Sequence, residues 1–191
     1  MPTSDEKVEL FEMAMDFFKS NGYEYIGLDH FAKPQDSIIQ ARKNGRLHRN
    51  FQGYSTMAGL DTFAIGLTSI SDTKTTYRQN YKDMKTYSDS IKAGVLPIER
   101  GIILNADDIV RRAIIMDIMC SLKVVFRNYG VDFKSMFAEA MQKLEDFEKD
   151  GLVEIHNDYF QVSDLGRIFL RNIAMLFDNR LSNAQRYSKT I

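Results

Sequence analysis

Cysteine occurs once in these 191 residues, as Cys120. One thiol excludes an internal disulfide framework and any site held by several thiolates. No stretch approaches the ~20 apolar residues of a membrane-spanning helix, and the first residues lack the apolar run of a secretory leader. Charge of one sign is lacking too. The 25 basic and 26 acidic side chains leave a formal charge of −1, so no long-range field favours DNA or an anionic lipid surface. The chain also has no internal repeat and no low-complexity tract. These absences predict a cytoplasmic protein with no membrane or nucleic-acid partner. At 44% hydrophobic content, the length suffices for one good core or two small ones.

What is present first is an amphipathic helix over residues 6–20, with Val8, Phe11, Met15 and Phe18 at three- and four-residue spacing. Thr3 or Ser4 is available as its cap and Gly22 as its stop. Residues 23–28 are rich in aromatic and β-branched types and predict a strand, so helix and strand form the αβ unit of a parallel α/β sheet. Asp29, His30 and Phe31 then fall just beyond the strand's carboxyl end, where ligands bind in such folds. A neutral imidazole there can position a substrate carboxylate or pass a proton. A short helix over 36–43 follows Pro34 and stops at Asn44-Gly45. Residues 47–54 mix basic, aromatic and amide side chains without a period of 2 or 3.6, and predict a contact loop. Residues 63–70 predict a buried strand in which Gly66 permits close backbone approach. An extended start and a polar helix occupy 77–93.

Leu96-Pro97 and Arg100-Gly101 mark a domain boundary, dividing the chain into residues 1–98 and 99–191. Beyond it Asn105 caps a long helix through 126, with Asp107 and Asp108 complementing the helix dipole. A second helix carries Phe133, Met136, Phe137, Ala140, Met141 and Leu144 on one face and stops at Gly151. Two strands turn at Asn157-Asp158, and Ser163 caps a last long helix through Phe177. Helix, helix, hairpin, helix is the order of a winged-helix module.

Three local words, Gly27-Leu-Asp-His-Phe31, Leu47-His-Arg-Asn-Phe-Gln-Gly-Tyr54 and Gly66-Leu-Thr-Ser-Ile-Ser71, precede this region. Together they resemble the C-terminal part of oxygen-independent coproporphyrinogen III oxidase, a radical S-adenosylmethionine (SAM) enzyme of haem biosynthesis. The resemblance runs from the first helix to the terminal Ser188-Lys-Thr-Ile191. It implies an α+β fold: the terminal segment of a partial (β/α) radical SAM barrel, followed by a mainly helical, winged-helix-like domain with a β-hairpin. It also implies SAM and a [4Fe–4S] cluster in the complete enzyme. The cluster takes three cysteines, usually spaced CxxxCxxC, and this chain has no match for them, so it should bind no cluster and be inactive alone.

By the same resemblance Gln52 matches a glutamine at the SAM pocket and Ile70 an isoleucine contacting SAM. The implied substrate, coproporphyrinogen, carries four carboxylates, which suit guanidinium groups. Of Arg46, Arg49 and Arg78, only Arg49 lies inside an aromatic word, and Tyr54 and Tyr77 can flank a tetrapyrrole. His30, Arg49 and Tyr54 are therefore the substrate-binding candidates, and Gln52 and Ile70 the cofactor-binding ones. No residue is assigned a catalytic or metal-binding role. Cys120 reads as a small buried hydrophobe, and His48 and His156 lack partners at metal-ligand spacing. Arg111 and Arg112 read as anchors of the long helix, and Asn172 as a polar anchor between layers.

Two other functions fit parts of the pattern. A winged-helix binding module fits the order after Arg100, but residues 99–191 hold 13 basic and 14 acidic side chains, without the basic excess of a DNA-binding face. A cluster-free, haem-binding relative of the same family is the other. The resemblance further implies a partner, the radical SAM half. An isolated barrel end exposes a strand edge and apolar helix faces, which predicts self-association.

Overall fold

The computed structural model describes residues 3–181; the expectation for Ser188 to Ile191 lies outside them. Helix α1 (Ser4–Ser20) starts with a capping box in which the Thr3 hydroxyl accepts from the Glu6 amide and the Glu6 carboxylate accepts from the Thr3 amide. Its inner face packs on the hairpin of β1 (Glu24–Gly27) and β2 (His30–Ala32), with Phe18 stacked on Phe31 at 4.7 Å. Helix α2 (Ser37–Lys43), capped by Asp36, leads to a second hairpin, β3 (His48–Asn50) and β4 (Gly53–Ser55). Next come β5 (Ile70–Asp72), β6 (Thr76–Asn80), α3 (Met84–Lys92) and β7 (Ile98–Ile103), whose strands form a sheet in the order β5-β6-β7.

Asn105 and Asp108 form the capping box that starts α4 (Ala106–Ser121). Strand β8 (Lys123–Val125), a 3₁₀ turn (Phe126–Tyr129), α5 (Phe133–Met136), α6 (Ala138–Lys149), β9 (Val153–Ile155) and β10 (Tyr159–Val162) follow. A second 3₁₀ turn (Gly166–Phe169) then opens α7 (Leu170–Met175). The last sheet has the order β8-β10-β9. One buried cluster centres on Ile114, Ile118, Phe160, Leu170, Ile173 and Phe177, and it continues into Ile26, Ile39 and Tyr54 of the first hundred residues. Arg167 adds a polar tie across it by donating to the Tyr25 and Ile26 carbonyls.

Several expectations need correction. Strand β1 pairs antiparallel with β2, because Leu28 takes a left-handed conformation (φ 56°) and turns the chain straight back. Among the described residues all strand pairs are antiparallel. Residues 47–54 are a hairpin with Leu47 and Tyr54 in the core. Residues 63–69 are no strand: Phe63 and Ile65 are 70% and 92% exposed, and nothing approaches Gly66 closely. Side chains take over the backbone bonding there, since Asn80 donates to the Gly66 carbonyl, Ser71 accepts from the Ala64 amide and Tyr87 accepts from the Gly66 amide.

The long helix stops at Ser121, where left-handed Leu122 (φ 58°) diverts the chain into the unforeseen strand β8. The second helix breaks at Phe137 (φ −113°, ψ 30°), whose buried ring packs on Phe133 and Phe177. The last helix is short because Gly166 is pressed onto the Leu152 carbonyl, only 1.9 Å from where a Cβ would sit, and the chain passes it as a 3₁₀ turn.

Phe160 is fully buried between Phe126 and Phe177. Phe160→Ala should lower the unfolding free energy by about 3–5 kcal/mol in urea. Ile65→Ala, at an exposed site, should change it by less than about 0.5 kcal/mol.

Candidate functional site

A cavity of about 1170 Å³ lies where β3, the β5-β6-β7 sheet, α4, α7 and residues 178–181 meet. Its apolar surface includes Phe51, Tyr77, Ile115, Met116, Met119 and Met175, and five arginines reach it: Arg49, Arg111, Arg112, Arg171 and Arg180. Large, mostly apolar concavities with a few placed polar groups are what ligands of drug size and above require.

Three of the guanidiniums are tied to carboxylates. Arg112 donates to Asp72 at 2.7 Å and to the Thr73 carbonyl at 2.7 Å, fastening α4 to β5 as the sequence suggested for an anchor. Arg111 bonds Asp107 at 2.8 Å and the Phe177 carbonyl. Arg180 grips both oxygens of Asp108, at 2.8 and 2.5 Å. The Asp108 side chain is only 4% exposed. Hydrogen bonds from Arg180 and from the Asn105 amide hold its carboxyl well below the usual range, at about 2.

Arg49 differs from these three. It pairs across the hairpin with Tyr54, its guanidinium stands 5.7 Å from the centre of that ring, and its buried Nε has no hydrogen-bond partner among the described residues. The Tyr54 hydroxyl is spent inside the core, donating to the Met119 carbonyl at 3.0 Å, and burial pushes its pKa up. Tyr77 meets Phe51 edge-on at 5.3 Å beneath the Arg112 guanidinium, and burial raises its hydroxyl to about 12.

The structure therefore brings Arg49 and Tyr77 to the cavity, with Tyr54 directly under Arg49. Gln52 sits exposed in the β3–β4 turn next to Phe51, and its backbone N–H donates to Asn50 Oδ1. Ile70 opens β5, half-buried opposite Gln79. His30 begins β2 and is edge-on to Tyr54 at 5.0 Å. None of Gln52, Tyr54, Ile70 and His30 lines the cavity. Arg46 is exposed, and Arg78 is half-buried with an unpartnered Nε. The Asn172 side-chain oxygen is buried without a partner. His48 is half-buried, and His156 is exposed and stacked on Tyr159. Cys120 is buried against Met116, and burial lifts its thiol to about 12. Among the described residues no group of three or more His, Cys, Asp or Glu is placed to hold a metal ion. No helix there is long and apolar enough to cross a membrane.

Sequence inspection missed Asp72, Asp108, Arg171 and Arg180. The Asp108–Arg180 pair spans 72 positions, and no local spacing signals it. Asp72 closes a strand of three residues, too short to show a pattern.

Comparison with known proteins gives this cavity a context. The fold matches a solved structure titled coproporphyrinogen III oxidase (HemN) from Escherichia coli, a radical SAM enzyme, with a TM-score of 0.89 and 35% identity, over 94% of this chain and 42% of that one. Residues 104–169 match the family described as HemN C-terminal domain. The fold therefore resembles the C-terminal region of a radical SAM enzyme. Oxygen-independent coproporphyrinogen III oxidases of Pseudomonas aeruginosa and Synechocystis are 39% and 37% identical over the whole chain, and each is covered to 43% of its length. The chain is thus similar along its full length to oxygen-independent coproporphyrinogen III oxidases, and over residues 104–169 to their C-terminal domain. It spans less than half the length of these relatives.

The Asp108 pair sets a pH dependence. A folded-state pKa near 2, below the roughly 3.9 of an unfolded aspartate, contributes stability that is complete above pH ~4 and disappears as pH falls through 2. Arg180→Met should therefore be less stable than the parent at pH 5. The gap in urea midpoints should close progressively between pH 4 and pH 2.

Proposed function

We propose that this chain serves as the C-terminal portion of an oxygen-independent coproporphyrinogen III oxidase. It supplies one wall of a tetrapyrrole pocket through residues 1–98 and a helical, winged-helix-like cover through residues 99–191. In the complete enzyme, SAM and a [4Fe–4S] cluster supply the radical chemistry that oxidatively decarboxylates two propionates to vinyls, giving protoporphyrinogen IX. The residues of this chain do not fit that cluster: Cys120 is single, buried and held as a thiol. Cluster ligation and radical generation fall to the rest of the protein, and this chain alone is catalytically silent.

The observation that carries the proposal is Arg49. A guanidinium with an unmet donor, set over an aromatic ring at the edge of a largely apolar cavity of about 1170 Å³, suits a macrocycle whose rim bears carboxylates. Tyr54 contributes by backing Arg49 with its ring, while its hydroxyl is already committed. Gln52, carried by the same hairpin turn as the cavity-lining Phe51, is the SAM-facing amide, and Ile70 gives SAM an apolar contact. The exposed Phe63, Ile65, Leu96 and Ile103, between 70% and 92% accessible, form apolar surface for the radical SAM half to cover. Similarity to the oxidases along the whole chain favours this reading over a nucleic-acid-binding or haem-carrying module.

Anaerobic titration with coproporphyrin III, the stable oxidised analogue of the substrate, tests the pocket by fluorescence. Saturable binding is expected, weakened at least about tenfold by Arg49→Ala, as loss of a charge-assisted hydrogen bond predicts. A folded chain that binds no porphyrin, or binds equally well without Arg49, overturns the assignment of this wall.

A further inference from the structure

The first two hairpins interlock at two glycines. A Cβ on Gly27 would lie 2.6 Å from the Tyr54 hydroxyl oxygen and 2.8 Å from a Leu170 methyl carbon. A Cβ on Gly53 would lie 2.9 Å from His30 Nε2, and the next nearest atoms are also of that imidazole. Gly53 has φ +128°, a conformation that favours glycine. It directly follows Gln52 and pairs with Asn50 to close the β3–β4 turn, where Asn50 Oδ1 accepts from the Gln52 backbone N–H at 2.9 Å.

His30 is half-buried in this arrangement. Its Nε2 side faces the Gly53 backbone, its edge meets the Tyr54 ring at 5.0 Å and 85°, and its buried Nδ1 lies 2.7 Å from Asp29 Oδ1, off the axis of a hydrogen bond. The imidazole does not line the cavity. It has one neighbour whose placement bears on the site, the turn that carries Phe51 and Gln52.

We infer that His30 is a positioning residue for Gln52: seated against Gly53, its imidazole fixes the turn that presents the Gln52 amide to SAM. The inference rests on the assignment of Gln52 to the SAM pocket proposed above. It gives His30 a role in place of direct contact with substrate. Tyr54 backs the ring from the core side.

Amide hydrogen exchange on the whole chain tests the turn, and a SAM titration of the parent and of Gln52→Ala tests the assignment of Gln52. His30→Ala should speed exchange at residues 51–54 by about tenfold and leave α4 and β10 unchanged, as local opening does. His30→Gln, whose amide reaches the place of Nε2, should restore slow exchange. His30→Asn, which reaches only the place of Nδ1, should not. Unchanged exchange at the turn in His30→Ala overturns the inference, and so does equal acceleration in α4 and β10, which would mark a general loss of stability. If SAM binds the parent and Gln52→Ala equally, or binds neither, the assignment of Gln52 fails while the exchange data still decide what His30 holds.

Discussion

Helix α4 has to satisfy two surroundings at once, and the rest of the structure is arranged around that demand. Ile114 and Ile118 are wholly buried in the main cluster, while Ile115, Met116 and Met119 reach the cavity. Arg112 ties the helix to β5, and Met116 Sδ accepts from the Arg49 amide of β3. A helix enclosed on most sides needs its ends settled locally. The Asn105–Asp108 capping box settles one end and left-handed Leu122 the other. Strands β3, β5 and β8 and helix α7 take their places relative to this one element.

The charges around the cavity follow from the same packing. Burying a guanidinium or a carboxylate alone is costly, and pairing with good hydrogen-bond geometry offsets the cost. Asp72, Asp107 and Asp108 each neutralise one arginine, so these pairs shape the wall more than they bind. Arg49 rests on an aromatic face instead. Its buried Nε has no hydrogen-bond partner among the described residues, whereas Arg111, Arg112 and Arg180 each hold a carboxylate.

Local signals were legible in the sequence wherever one short stretch contains the whole cause. The Thr3 and Asn105 caps, the stops near Gly22, Gly45 and Gly151, and the Asn157-Asp158 turn all have that form. Errors arose where a distant partner decides the outcome. The apolar run at 63–70 suggested a strand, yet Asn80 and Tyr87 bond its backbone from elsewhere and leave its side chains outside. The last helix was shortened by Leu152, which lies 14 residues before Gly166. Of the cavity lining, Arg49 could be singled out from the composition of one word, whereas Gln52 stands out only through the family resemblance. The Arg112–Asp72 and Arg180–Asp108 pairs could not be singled out, because each joins segments that meet only after the core has formed.

The loop at 62–69 has a thermodynamic meaning of its own. Its amides and carbonyls are held by Ser69, Ser71, Asn80 and Tyr87, so Phe63 and Ile65 stand in solvent on backbone that is already fixed. Ordering a residue's backbone typically costs about 1–2 kcal/mol, and here that loss is incurred during folding. Removing these two side chains from water then yields nearly its full hydrophobic gain, undiminished by the entropy that a slack loop would forfeit.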